Sequence, residues 1–104
     1  LPMELIDQVI GMNPFNERAY LLKGNLLLAL KEVDKAIEVY DEAIELKPDF
    51  AQAYHERGRA KLEKGDKAGS MEDMKKSIEL APQSGAAISG QYNNYEHMTK
   101  NVPF

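Results

Sequence analysis

With 104 residues, 17 acidic side chains against 13 basic ones and a net charge of −4, the chain can form one compact unit with a modest core, burying roughly 60–70% of its unfolded surface. It has no surplus of Lys and Arg to attract phosphate backbones or anionic lipid, so nucleic acid is not expected among its partners. The lack of cysteine removes disulfides and thiolate metal sites, and no apolar run approaches the about 18 residues of a membrane span.

In chain order, the first apolar pattern is Met3, Ile6, Val9 and Ile10, a helix over residues 2–12 with Pro2 suited to its first turn. Pro14 then opens a register that Pro48 and Pro82 repeat at intervals of 34 residues. A second helix spans residues 16–30, with Ala19, Tyr20, Leu27 and Leu30 on one face and Gly24 among them. A third spans 33–47 through Val33, Ile37, Tyr40, Ala43, Ile44 and Leu46. Between them the pattern breaks at Lys31-Glu32. In the next copy it breaks at Gly65-Asp66, where glycine can take the left-handed conformation that ends a helix. The second helix of each copy stops before its proline, which restricts the preceding residue and offers no amide hydrogen. Loops this short force neighbouring helices to pack antiparallel.

Superposed, residues 17–50 and 51–84 agree at Ala19/Ala53, Tyr20/Tyr54, Gly24/Gly58, Leu28/Leu62, Ile44/Ile78, Leu46/Leu80 and Pro48/Pro82, among others. The opening segment continues the register backwards, because Met3, Glu4, Ile6, Val9 and Ile10 align with Ile37, Glu38, Tyr40, Ala43 and Ile44. It reads as the second helix of an earlier copy. Forwards, Ala87 and Ile88 align with Ala53 and Tyr54, so residues 85–97 are expected to form a capping helix through Ile88, Tyr92 and Tyr95, with residues 98–104 a tail. The chain begins at Leu1 rather than Met and shows no signal-like start, which reads as a piece excised from a longer protein. Its compartment stays open, with the cytoplasm favoured.

Gly24 and Gly58 lie inside helices, where glycine costs about 1 kcal/mol relative to alanine. Close approach of the partner helix is the expected compensation. The facing helices offer the small residues Ala36, Ala43, Ser70 and Ser77, while Tyr20, Tyr40, Tyr54 and Met74 fill the wider gaps. The period and this set of positions resemble the tetratricopeptide repeat: Tyr20, Gly24, Ala36, Tyr40, Ala43 and Pro48 in one copy, Tyr54, Gly58, Ser70, Met74, Ser77 and Pro82 in the other. Lys23 and Arg57 depart from it, standing where the family carries a large apolar residue. The resemblance implies an all-α fold, a right-handed superhelical stack of antiparallel helix pairs, with residues 1–97 as one domain.

Candidate chemistry is thin. His55-Glu56 begins like a zinc-protease motif, but Arg59 stands where the second His is needed and His97 is distant. Asp34, Glu38, Asp41, Glu42 and Glu45, with lysines interspersed, read as a solvated helix face. Gly65-Asp66-Lys67-Ala68-Gly69 has no phosphate-binding spacing and reads as a turn. No catalysis, metal or cofactor is expected.

Recognition remains. The resemblance implies that the first helix of each pair lines a concave face. The residues one turn off its packing face are Arg18, Leu21, Asn25 and Leu28, then Gln52, His55, Arg59 and Leu62, with Ser89 and Asn93 continuing the row. Two guanidinium groups and several apolar residues suit a peptide or protein segment that carries carboxylates and apolar anchors. Some members of the family clamp chaperone C-termini with Lys, Asn and Arg; only Asn25 matches here, which disfavours that ligand. The alternative is a structural or self-associating segment of a larger protein, whose uncovered Ile6, Val9 and Ile10 face pairs with another copy, as a homodimer, or with the upstream helix that its truncated repeat lacks.

Overall fold

The computed structural model describes residues 2–81. They form five helices: α1 (Met3–Met12), α2 (Glu17–Ala29), α3 (Val33–Leu46), α4 (Ala51–Lys64) and α5 (Lys67–Leu80). The expected helix over 85–97, with Ser89 and Asn93, lies outside the described residues, as does the 98–104 tail. Pro2 precedes α1 as its N-cap and its carbonyl accepts from the amides of Leu5 and Ile6.

The termini show why the helices begin and end where they do. Asn16 caps α2 by accepting from the Ala19 amide at 3.3 Å, and Asp66 caps α5 by accepting from the Gly69 amide at 2.9 Å, each satisfying an amide that has no partner inside its helix. At the far end of α4, Gly65 is left-handed with φ 97°, and the Asp66 amide reaches back to the Lys61 carbonyl at 2.8 Å. The end of α2 repeats this closure with Glu32 donating to Leu27 at 2.9 Å, but there the left-handed residue is Lys31, φ 67°. A side chain in that conformation costs roughly 1–2 kcal/mol. Lys31→Gly is therefore expected to raise stability by about 1 kcal/mol, measured by urea unfolding, once the larger chain entropy of glycine is discounted.

The helices pair as α2 with α3 and α4 with α5; α3 joins the pairs by packing on α4, α1 packs on α2, and α2 touches α4 more lightly. This is an all-α stack of helix pairs. The core holds Leu21, Leu27, Leu28, Val39, Tyr40 and Phe50, with Ala36, Ala43, Ala53 and Ala60 at the closest crossings. Ser70 and Ser77 are likewise buried, as their small size allows. The close approach at Gly24 comes from Tyr40: a Cβ on Gly24 would stand 2.6 Å from ring atom Cδ1. Gly58 is less confined, with Ser70 O and Asp73 Cβ each 3.2 Å from such a Cβ. Leu30, read as part of the apolar face, is exposed because it lies past the end of α2 in the turn.

Candidate recognition surface and its supports

The inner row divides once it is folded. Arg18, Gln52, Arg59 and Leu62 are exposed, and His55 is partly so. Leu21 and Leu28, expected on the open surface, are only 3% and 6% exposed and belong to the core. Both belong to one cluster with Val39, Tyr40, Ala53 and Ala60, formed where α2 packs on α3 and touches α4. Neither is available to a ligand. Ser89 and Asn93 cannot be placed, being outside the described residues.

Asn25 is half-buried and committed in part. Its Oδ1 accepts a hydrogen bond of 2.6 Å from the Tyr40 hydroxyl, tying α2 to α3. Burial, reinforced by the charge of Glu56, holds that hydroxyl well above the ordinary tyrosine range, so it stays a donor. Glu56, whose side chain is mostly buried, accepts from Arg59 Nη1 at 2.8 Å and lies 3.7 Å from His55 Nδ1. Arg59 is thereby oriented, while the rest of its guanidinium fork remains for an anion. Among the described residues no group of three or more His, Asp or Glu converges as metal ligands would.

Beneath the row lies an ionic cluster that periodicity did not reveal. Arg57 grips Asp73 with two parallel bonds, Nε to Oδ2 and Nη2 to Oδ1, both 2.8 Å, and its Nη1 reaches Asp41 Oδ1 at 2.8 Å. Lys61 adds another cation, 3.1 Å from Asp73 Oδ2, and the guanidinium lies 5.1 Å from the centre of the Tyr54 ring. Burial alone would push the Asp73 carboxyl up. The bonds from Arg57 and Lys61 overcome that, and the net shift is downward. Three helices, α3, α4 and α5, are stitched at one point.

The signal that could have exposed this cluster was internal. Asp41, Arg57, Lys61 and Asp73 stand 34 residues after Asp7, Lys23, Leu27 and Val39. The cross-helix bridge is kept in both copies, since Lys23 pairs with Asp7 at 2.9 Å. Below it, an apolar pair, Leu27 and Val39, is exchanged for a charged pair, Lys61 and Asp73. Reading each departure from the repeat singly, rather than Lys61 and Asp73 as a compensated pair, hides the exchange. In the first copy those positions line an open groove of ≈570 Å³ between α1, α2 and α3, rimmed by Lys35, Glu38 and Glu42.

The α1 face also differs from expectation. Ile6 is 3% exposed, turned into the junction with α2, so it cannot serve self-association; Ile10 is half-buried and Val9 alone of the three is exposed.

Two family models match the chain, one described as TPR repeat over residues 24–65 and one as tetratricopeptide repeat over residues 51–84. Human tetratricopeptide repeat protein 36 is 34% identical over 70 residues, 67% of this chain and 37% of that protein. The crystal structure of MamA superposes with a TM-score of 0.73 at 30% identity, over 81% of this chain and 49% of that one. The structure of YrrB, described as a TPR protein with an unusual peptide-binding site, gives a TM-score of 0.76 at 19% identity, over 86% of this chain and 46% of that one. The chain thus spans less than half the length of each of these proteins.

Proposed function

We propose that this chain, which belongs among the tetratricopeptide-like repeat proteins, is a protein-interaction module whose inner row binds a peptide or protein segment carrying carboxylates and an apolar anchor. The observation that carries this reading is the exposure of Arg18 on α2 and of Gln52, Arg59 and Leu62 on α4, two cations, an amide and one aliphatic group on helices that are packed into the core by Leu21, Leu28, Ala53 and Ala60. Arg59 is held in place by Glu56, so less rotamer entropy is lost when it pairs with a ligand carboxylate. Asn25 and His55 contribute hydrogen-bonding groups at the same side. Leu21 and Leu28 support the row from beneath.

A displayed library of random peptides, selected on the intact chain, tests this. Enriched sequences are expected to carry carboxylates and at least one apolar residue. Joint Arg18→Glu and Arg59→Glu substitution is expected to weaken their capture at least about tenfold, with unchanged helicity by circular dichroism. Undiminished capture by the charge-reversed protein would end the proposal.

A further inference from the structure

The open groove between α1, α2 and α3 lies away from the inner row. At about 100° per residue, Lys23 and Leu27 stand roughly half a helical turn from Arg18 and Asn25. The floor of the groove is aliphatic, formed by Leu27 and Val39, and Leu30, 56% exposed, closes one end. Around it stand the carboxylates of Asp7, Glu32, Glu38 and Glu42 and the ammonium groups of Lys23 and Lys35. Lys23 pairs with Asp7 at 2.9 Å, and Lys35 with Glu32 at 3.1 Å. Both cations are thereby committed. Glu38 and Glu42 are exposed and enter no ion pair among the described residues. They stand one turn apart on α3, with Cβ atoms about 6 Å from each other, where like charges repel.

The next repeat shows the same place in a neutralised form. Lys61, Lys64 and Lys76 stand there where this groove has Leu27, Leu30 and Glu42, and with Arg57 they balance Asp41, Asp66, Glu72 and Asp73. The chain thus fills that position from within. Arg57 bridges carboxylates of two helices, bonding Asp41 and Asp73 at 2.8 Å each. The first copy keeps the acidic positions Asp7, Glu32 and Glu38, adds Glu42, and lacks the three lysines. Surplus negative charge around an aliphatic floor matches a cation carried on an aliphatic stem.

We infer that this groove receives an arginine side chain from a partner protein, its stem on Leu27 and Leu30 and its guanidinium between Glu38 and Glu42. Carboxylates one helical turn apart call for a planar fork that donates to both, as Arg57 does to Asp41 and Asp73; the ammonium of lysine is a point charge. Leu30 seats an aliphatic residue next to that arginine, and the ≈570 Å³ of the groove leave room for it. The occupant is therefore a segment with arginine beside leucine, isoleucine or valine, opposite in charge to the ligand of the inner row. The chain itself carries arginine only at Arg18, Arg57 and Arg59. Arg57 is held in its own cluster, and the other two belong to the inner row.

The probe is the peptide acetyl-Ala-Leu-Arg-Leu-Ala-amide, titrated into the intact nitrogen-labelled chain and followed by two-dimensional amide NMR. Saturable shifts are expected at Leu30, Glu38 and Glu42. Joint Glu38→Gln and Glu42→Gln substitution is expected to weaken binding at least about tenfold, as is citrulline in place of the peptide's arginine, which keeps the shape and removes the charge. Lysine in that place is expected to bind at least about threefold more weakly. The Arg18→Glu, Arg59→Glu protein is expected to bind the peptide unchanged, so this surface and the inner row stand or fall separately. Both glutamates are exposed, and the amide spectrum reports whether the fold is kept; should the pair unfold the chain, Leu30→Lys, which restores the cation of the second copy, and the citrulline peptide carry the test. No saturable shifts, shifts indifferent to the substitutions, or equal affinity for the lysine peptide overturns the inference. Shifts at the same amides that grow with protein concentration alone, and that Arg18→Glu or Arg59→Glu removes, overturn it too by giving the groove to a second copy.

Discussion

Replacing Asp73 with alanine is expected to lower the unfolding free energy by about 3 kcal/mol, because it leaves Arg57 and Lys61 partly buried without the carboxylate they share. Removing one partner of a buried pair typically costs about 3–5 kcal/mol; the lower end applies because Arg57 keeps Asp41 and some water. For a unit of this size the loss corresponds to a fall in Tm of the order of 15 °C. The combined change Lys61→Leu with Asp73→Val restores the Leu27–Val39 pattern of the first copy, leaving Arg57 on Asp41 as Lys23 stands on Asp7. That double variant is expected within about 1 kcal/mol of the parent, or above it. Equal destabilisation of the single and double variants, by calorimetry, would show that the cluster is not the source of the effect.

The same carboxylate gives an acid dependence with a definite sign. Its folded pKa is depressed, so in the window between the ordinary aspartate value, about 3.9, and the lower folded value the unfolded chain holds more protons. Stability from this group is complete above that window and declines as pH falls through it. The Lys61→Leu, Asp73→Val chain should show a shallower loss over that range.

Gly24→Ala is expected to destabilise by about 2 kcal/mol, although alanine is the better helix former by about 1 kcal/mol. The added carbon would meet the Tyr40 ring, with Cδ1 at 2.6 Å and Cζ at 2.9 Å. Tyr40 is fully buried, and turning it aside breaks its hydrogen bond to Asn25, so overpacking outweighs propensity. Gly58→Ala meets nothing nearer than 3.2 Å and is expected within about 0.5 kcal/mol of neutral, contact and propensity nearly cancelling. Gly58→Val, bulkier and β-branched, is expected to cost about 2–3 kcal/mol. A double cycle with Tyr40→Leu checks the cause. Loss of the Gly24→Ala penalty when the ring has been removed by Tyr40→Leu supports the contact, and strict additivity refutes it.

These outcomes separate what was legible from what was not. The packing at both glycines followed from the repeat, because a costly residue recurring inside a helix demands a close neighbour. That Gly24 is far more confined than Gly58 did not follow, since it turns on whether the facing position holds Tyr40 or Met74 and how that side chain lies. The Arg57 cluster was present in the sequence as three departures from the pattern, but their compensation becomes visible only when Arg57, Lys61 and Asp73 are brought to one point.

For the described residues, the five helices, their breaks at Lys31 and Gly65, and their pairing were determined by the sequence alone, since these depend on local period, proline and glycine chemistry and short connections. The division of the inner row was decided by the tertiary structure. Leu28 and Leu62 are the same residue at the same register, yet one is buried and the other is 53% exposed. Burial belongs to a group of elements and not to a position on one of them: Leu21 and Leu28 join the cluster where α2 meets α3 and α4, while Leu62 stays open. The same reason turns Ile6 inward and leaves Leu5, Val9 and Leu22 facing out at the edge of the stack.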